Sequence, residues 1–124
     1  MFIAVDTTDR RPIYQQVVDE IKALIANRSL KEGDILPPVR QLAADLSVNL
    51  NTVAIAYRAL QDEGLITVKH GSGATVSSNT TTTNDEVELR KSLRGALAQM
   101  VLAGLPRAEI LRHVTSELQT LKSK

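Results

Sequence analysis

The stretch KEGDILPPVRQLAADLSVNLNTVAIAYRALQDEGLITVKHGSGATV, Lys31 to Val76, decides the fold. After Pro37-Pro38, the apolar residues Val39, Leu42, Ala43 and Leu46 recur at helical spacing. A short break follows at Ser47-Val48. Asn49 is a good helix N-cap, because its side-chain oxygen can take up an orphan N–H of the first turn. Val53, Ala56, Tyr57 and Leu60 then stand at i, i+3, i+4 and i+7, and Gly64 ends that helix, since glycine adopts a left-handed conformation easily. Leu65–Val68 and Thr75–Val76 read as two β runs, with Lys69-His70-Gly71-Ser72-Gly73 as a hairpin tip between them.

Upstream, Asp6 to Pro12 is polar and turn-like. A helical stripe of Tyr14, Val17, Val18, Ile21, Leu24 and Ile25 follows, with Pro12 suited to the first helical turn. Lys31-Glu32-Gly33-Asp34 reads as a turn. Downstream, Ser77 to Asn84 includes four consecutive threonines and has no apolar periodicity, which marks a linker. Asp85-Glu86 places negative charge where a helix start favours it. Leu89, Leu93, Ala96, Leu97, Met100 and Val101 form one more stripe. Gly104 and Pro106 punctuate the chain, and Ile110, Leu111, Val114, Leu118 and Leu121 form the last. The expected organisation is a first domain over 1–77, a linker over 78–84 and a helical tail over 85–124.

Composition narrows the function. Of 124 residues, 43% are hydrophobic and 2% aromatic, so the core is aliphatic and stacking platforms for single strands are excluded. The absence of cysteine rules out disulfides and thiol chemistry and suits a reducing cytoplasm. No apolar run reaches the roughly 18–20 residues of a membrane span, and the N-terminus lacks the order of a signal peptide. There are no paired carboxylates in a plausible pocket, no Ser-His-Asp order and no metal-spaced histidine cluster. Gly71-Ser72-Gly73 lacks the Lys-Ser/Thr of a phosphate loop. The expectation is therefore no enzyme, no cofactor and no metal. Charge counts against a nucleic-acid partner, since such proteins are often far more basic: the whole chain carries +1, and residues 1–76 hold 8 Lys/Arg against 9 Asp/Glu.

The fold class expected is mainly α with a small β-hairpin. Three helices followed by a hairpin is the plan of a winged helix-turn-helix, whose second motif helix fits the major groove of DNA. Residues Pro12 to Val76 resemble the winged domain of the GntR regulators. The resemblance rests on PIYQQVVDEIKALIANRSLKEGDILPPVRQLAADLSV, on NTVAIAYRALQDEGLI and on KHGSGATV. The Asn-Thr-Val…Ala-Tyr form and the short helical tail are similar to the YtrA-type branch. This resemblance implies a sequence-specific, cytoplasmic transcription regulator, a repressor of its own operon and of neighbouring transporter genes, answering to an unidentified small-molecule effector.

The resemblance also implies contacts. Arg40 falls where the family places a phosphate-binding arginine. Asn49, Leu50, Asn51, Thr52 and Ala54 fall on the recognition helix, and Lys69, His70 and Gly71 on the wing. Leu50 and Ala54 stand where many members carry arginines, and Pro38 replaces a serine. The expected readout is thus apolar contact with thymine methyls, with Asn49 or Asn51 on adenine, and hence A·T-rich half-sites. Tyr57 reads as core, Arg10 and Arg11 as possible backbone contacts, and His113 as a surface or interface residue. Two tail helices cannot cover their own stripes. Leu93, Leu97, Met100, Val101, Ile110, Leu111, Val114, Leu118 and Leu121 are therefore expected to form a two-fold homodimer interface, with a pseudo-palindromic double-stranded operator as partner. The alternatives are a fragment of a longer relative with an aminotransferase-like domain, disfavoured by the helical tail, and a protein-binding module.

Overall fold

The computed structural model describes residues 3–69, 73–77 and 86–122, which fall into two compact units, Met1–Thr82 and Thr83–Lys124. The first unit holds α1 (Ile13–Ala26), β1 (Ile35–Leu36), α2 (Val39–Leu46), α3 (Leu50–Asp62), β2 (Ile66–Lys69) and β3 (Gly73–Val76). Its core is aliphatic, as the composition requires: Val17, Ile21, Leu36, Val53, Leu60 and Ile66 are buried, with Tyr57 the one buried ring among the described residues. Helix α3 packs on both α1 and α2, so its buried stripe of Val53, Ala56, Tyr57 and Leu60 is the spine of the unit.

Helix boundaries follow local chemistry. Pro12 is the N-cap of α1 rather than part of its first turn. Its extended ψ of 150° leaves its carbonyl to accept from Gln15 and Gln16. Pro38 does the same for α2, with its carbonyl accepting from Leu42. Ser47 closes α2 in the left-handed region (φ 57°). Asn49 caps α3, its side chain accepting from the Asn51 N–H at 2.7 Å. Gly64 follows α3 with φ +79°. Tyr14, placed on the apolar stripe of α1 by spacing, is exposed; Ile13 is half-buried.

The sheet has three strands, where sequence reading gives only a hairpin. The order is β1-β3-β2, all antiparallel, with Ile66 opposite Val76, Lys69 opposite Gly73, and Leu36 opposite Ala74. Two further bonds extend β1 backwards: Gly33 N–H to Val76 O and Val76 N–H to Asp34 O. β1 is only two residues long and has no pattern of its own. It is a strand because the free edge of β3 lies beside it. Alternation then buries Leu36 and exposes Ile35.

The segment before α1 is tied down by one buried polar side chain. Gln16 is 2% exposed. Its Oε1 accepts from the Asp6 N–H at 2.8 Å, and its Nε2 donates to the carbonyls of Asp6 (3.0 Å) and Arg11 (3.1 Å). Those three bonds satisfy a backbone that no helix or strand pairs, and Ile3 is thereby held in the core.

The second unit is α4 (Glu86–Leu102) and α5 (Arg107–Leu121), joined through Gly104 at φ +87°. Glu86 and Glu88 lie in the first turn of α4. The linker expected at 78–84, and Asp85, lie outside the described residues. Neither helix has a buried residue. Between them runs an apolar groove of about 510 Å³ lined by Leu93, Leu97, Val101, Leu105, Ile110, Leu111 and Val114, with Arg107 beside it. Among the described residues no helix is long and apolar enough to cross a membrane.

Replacing Gln16 with leucine keeps the volume and removes all three bonds. Each part-buried backbone group left unpaired costs on the order of 1 kcal/mol, so urea denaturation of Gln16→Leu should show a stability lower by about 2 kcal/mol with an unchanged m-value. An unchanged midpoint would mean that the N-terminal segment contributes nothing to the fold.

Candidate nucleic-acid interface

The start of α2, the flank of α3 and the base of the hairpin enclose a groove of about 530 Å³. Arg40, Leu50, Asn51, Ala54 and Lys69, all expected from sequence to meet DNA, line it together. Three separate elements thus converge on one concavity. Asn49 and Thr52 are not among its lining residues. Asn49 is exposed and its side chain is spent on capping, while Thr52 is half-exposed. His70 and Gly71, expected at the wing tip, lie outside the described residues.

Sequence reading missed several residues of the groove: Pro38, Val39, Val68 and Gly73 line it, and Tyr57 reaches it. Val68 stands two residues after the buried Ile66, a period-2 signal that would have assigned it to the core, yet it is exposed. Gly73 is in the left-handed region (φ +81°), and a Cβ there would lie 3.0 Å from the Leu36 carbonyl oxygen. Only glycine lets β3 begin so close to β1.

Tyr57 sets the geometry of the groove. It is 2% exposed, and its hydroxyl donates to the Pro37 carbonyl at 2.6 Å. That bond fastens the middle of α3 to the residue just before Pro38 and α2. Arg40, two residues beyond Pro38, is thereby placed across the groove from Leu50 and Ala54. Burial drives the Tyr57 phenol well above its ordinary range, because the anion would lose its water. On the other side, the Gln61 side chain accepts from the Val68 N–H at 3.3 Å and ties α3 to β2.

Ion pairing resolves the puzzle of the charge balance. Arg11 binds Asp9 (2.7 Å) and Asp19 (2.6 Å), and Lys22 binds Glu63 (3.0 Å). The Arg11 side chain and backbone N–H hold the Asp9 carboxyl below its usual range, and the Thr8 hydroxyl and N–H do the same for Asp6. Arg11 is therefore committed inside the chain. Among the described residues no ion pair holds Arg40 or Lys69. An overall balance near zero conceals cations left unneutralised on the groove.

A helix-turn-helix whose second helix stands clear at its N-terminal end, flanked by a β-hairpin and by exposed cations, is a winged-helix DNA-binding domain. Residues 13–76 match the family described as "Bacterial regulatory proteins, gntR family". The chain belongs to the GntR family, and within it to the YtrA type; the family consists of transcription regulators rather than enzymes. It is 36% identical over 100 residues to the HTH-type transcriptional repressor YtrA of Bacillus subtilis (strain 168), covering 81% of this chain and 76% of that one. Among solved structures, YtrA from Sulfolobus acidocaldarius, a GntR-family transcription factor, is 41% identical with a TM-score of 0.65, covering 79% of this chain and 99% of its own. A transcriptional antiterminator from Listeria monocytogenes EGD-e aligns at TM-score 0.83 and 27% identity over 98% and 92% of the two chains. The AraR DNA-binding domain in complex with operator ORX1 aligns at TM-score 0.53 and 25% identity, covering 62% of this chain and 93% of that one.

Tyr57→Phe should lower stability by about 1 kcal/mol, the worth of one hydrogen bond with a partner left unpaired. The phenol also makes stability depend on pH. A raised folded pKa means that its contribution is complete below the ordinary tyrosine value of about 10 and is lost as pH rises past it. In a Tyr14→Phe background, absorbance at about 295 nm should show the remaining phenol un-ionised well above pH 10 until the chain unfolds. Free ionisation in the folded state near pH 10 would contradict the burial described.

Proposed function

We propose that the chain is a homodimeric repressor that binds a pseudo-palindromic operator in double-stranded DNA in the cytoplasm. The observation that carries this reading is the convergence of Arg40, Leu50, Asn51, Ala54 and Lys69 on one groove. Arg40 and Lys69 hold phosphates, which position the head; Leu50, Asn51 and Ala54 face base edges, which specify the sequence. Asn49, Thr52, His70 and Gly71 complete the contact set. With aliphatic side chains at 50 and 54, the half-sites are A·T-rich, read through thymine methyls and the adenine edge by Asn51. The complex of the AraR DNA-binding domain with an operator, and the repressor name borne by the Bacillus relative, support this reading.

The tail supplies the dimer. Residues 1–77 form the head, 78–84 the linker and 85–124 the dimerisation unit. Leu93, Leu97, Met100, Val101, Ile110, Leu111, Val114, Leu118 and Leu121 lie on helices without one buried residue, so a second copy is their natural cover. Two heads then meet half-sites about 34–36 Å apart, or a multiple of that. Repression follows from occlusion of polymerase at the chain's own operon and at neighbouring transporter genes. A small-molecule effector would act by changing the spacing of the heads, a shift of population between two dimers.

Selection on random duplexes should return paired half-sites with A·T-rich cores; G·C-only cores would remove the methyl readout. Sedimentation at micromolar concentration should give a dimer. Leu93→Arg/Leu111→Arg should give a monomer with a folded head whose affinity falls by a factor on the order of 10²–10⁴, because the second head loses its effective concentration. A monomeric wild-type chain with full affinity would overturn the dimeric reading.

A further inference from the structure

We infer that Arg58 is a DNA-backbone contact of the recognition helix, gripping a phosphate further along α3 from the groove-lining Asn51 and Ala54. The inference rests on the DNA-binding reading of that helix. Arg58 is the only cation in α3: Leu50 and Ala54 supply none. It is exposed, and it stands seven residues after Asn51 and three after the exposed Ile55, on the face opposite the buried Val53, Ala56 and Leu60. It is not among the residues lining the groove.

Its neighbours are engaged elsewhere. Glu63 is taken by Lys22, and the Gln61 amide oxygen by the Val68 N–H. Asp62 lies one turn on, but an acidic residue C-terminal to its cation is the weaker order for a helical pair. Among the described residues no ion pair or side-chain hydrogen bond involves Arg58. A guanidinium held on a rigid helix without a carboxylate is available to an anion. Seven residues of helix advance about 10 Å, and the major groove is about 12 Å wide. With Asn51 over base edges, a side chain two turns further on leaves the floor of the groove and meets its wall, where the phosphates are. A planar guanidinium binds a phosphate through two parallel N–H donors.

The test compares full-length wild type, Arg58→Gln and Arg58→Lys by anisotropy on the selected operator and on a scrambled duplex, from about 50 to 300 mM NaCl. Arg58→Gln should weaken both duplexes by the same factor, roughly tenfold per head, and flatten the log–log salt slope by about 0.9 per head, the value of one phosphate contact. Arg58→Lys should keep the slope. Thermal melts should coincide for all three, since Arg58 is exposed. Unchanged affinity and slope in Arg58→Gln would overturn the inference while leaving the proposed function standing. A loss confined to the operator, with one base pair no longer discriminated, would overturn it in favour of a base reader. A wild-type chain that binds neither duplex would overturn both.

Discussion

The bond from the Tyr57 hydroxyl to the Pro37 carbonyl is the constraint on which the groove depends. Without it, α3 and the start of α2 would be related only by aliphatic packing, which is strong but not directional. The bond acts at a crossing point. Leu36, immediately before Pro37, is fully buried and pairs with Ala74, and the Leu36 carbonyl lies against the position where Gly73 would carry a Cβ. Recognition helix, motif helix and wing are thus referred to the same few backbone atoms. A head that must place side chains on a duplex within a fraction of an ångström needs such a common reference.

Much of this was legible in the sequence, for physical reasons that can be named. The helices α1, α2 and α3 announce themselves because their apolar residues repeat at 3.6, and the Asn49 cap because an Asx side chain is suited to one task there. The hairpin is legible from its glycines. β1 was not legible, because two residues carry no period; the edge of β3 makes the strand. Gln16 escaped notice for a different reason. A glutamine on a helix reads as solvent-facing, and only the tertiary fold reveals a backbone segment outside helix and strand, Asp6 to Arg11, whose Asp6 N–H and Asp6 and Arg11 carbonyls meet its amide. Tyr57 was assigned to the core by spacing, but its hydroxyl partner twenty residues away has no sequence signature. The groove followed the recognition-helix positions and missed Val68, because alternation after Ile66 points it inward while in β2 only Ile66 is buried.

Charge was the part that sequence reading treated as an objection. A count over residues 1–76 weighs every carboxylate equally. The structure separates them: Asp9, Asp19 and Glu63 are bound to Arg11 and Lys22, exposed pairs that add little stability each but remove those cations from the outer field. What a polyanion meets at the groove is Arg40 and Lys69, not the sum. A partner approaching within a few ångströms responds to that local arrangement, because salt screens the rest over about 8–10 Å.

The two units divide the physical work unequally. The first holds the aliphatic core and the polar ties described above; the second is two helices with exposed leucines and valines and no buried residue. Helices of 17 and 15 residues are marginal in water on propensity alone, and most helical stability comes from burying an apolar face. On the dimeric reading, folding of the tail and association of two chains are therefore a single equilibrium, and the tail gains its stability from mass action. The head does not share that dependence. On the same reading, a few cations on a rigid head give weak attachment singly and useful attachment in pairs, so the tail would set whether the sequence information in α3 is expressed as occupancy.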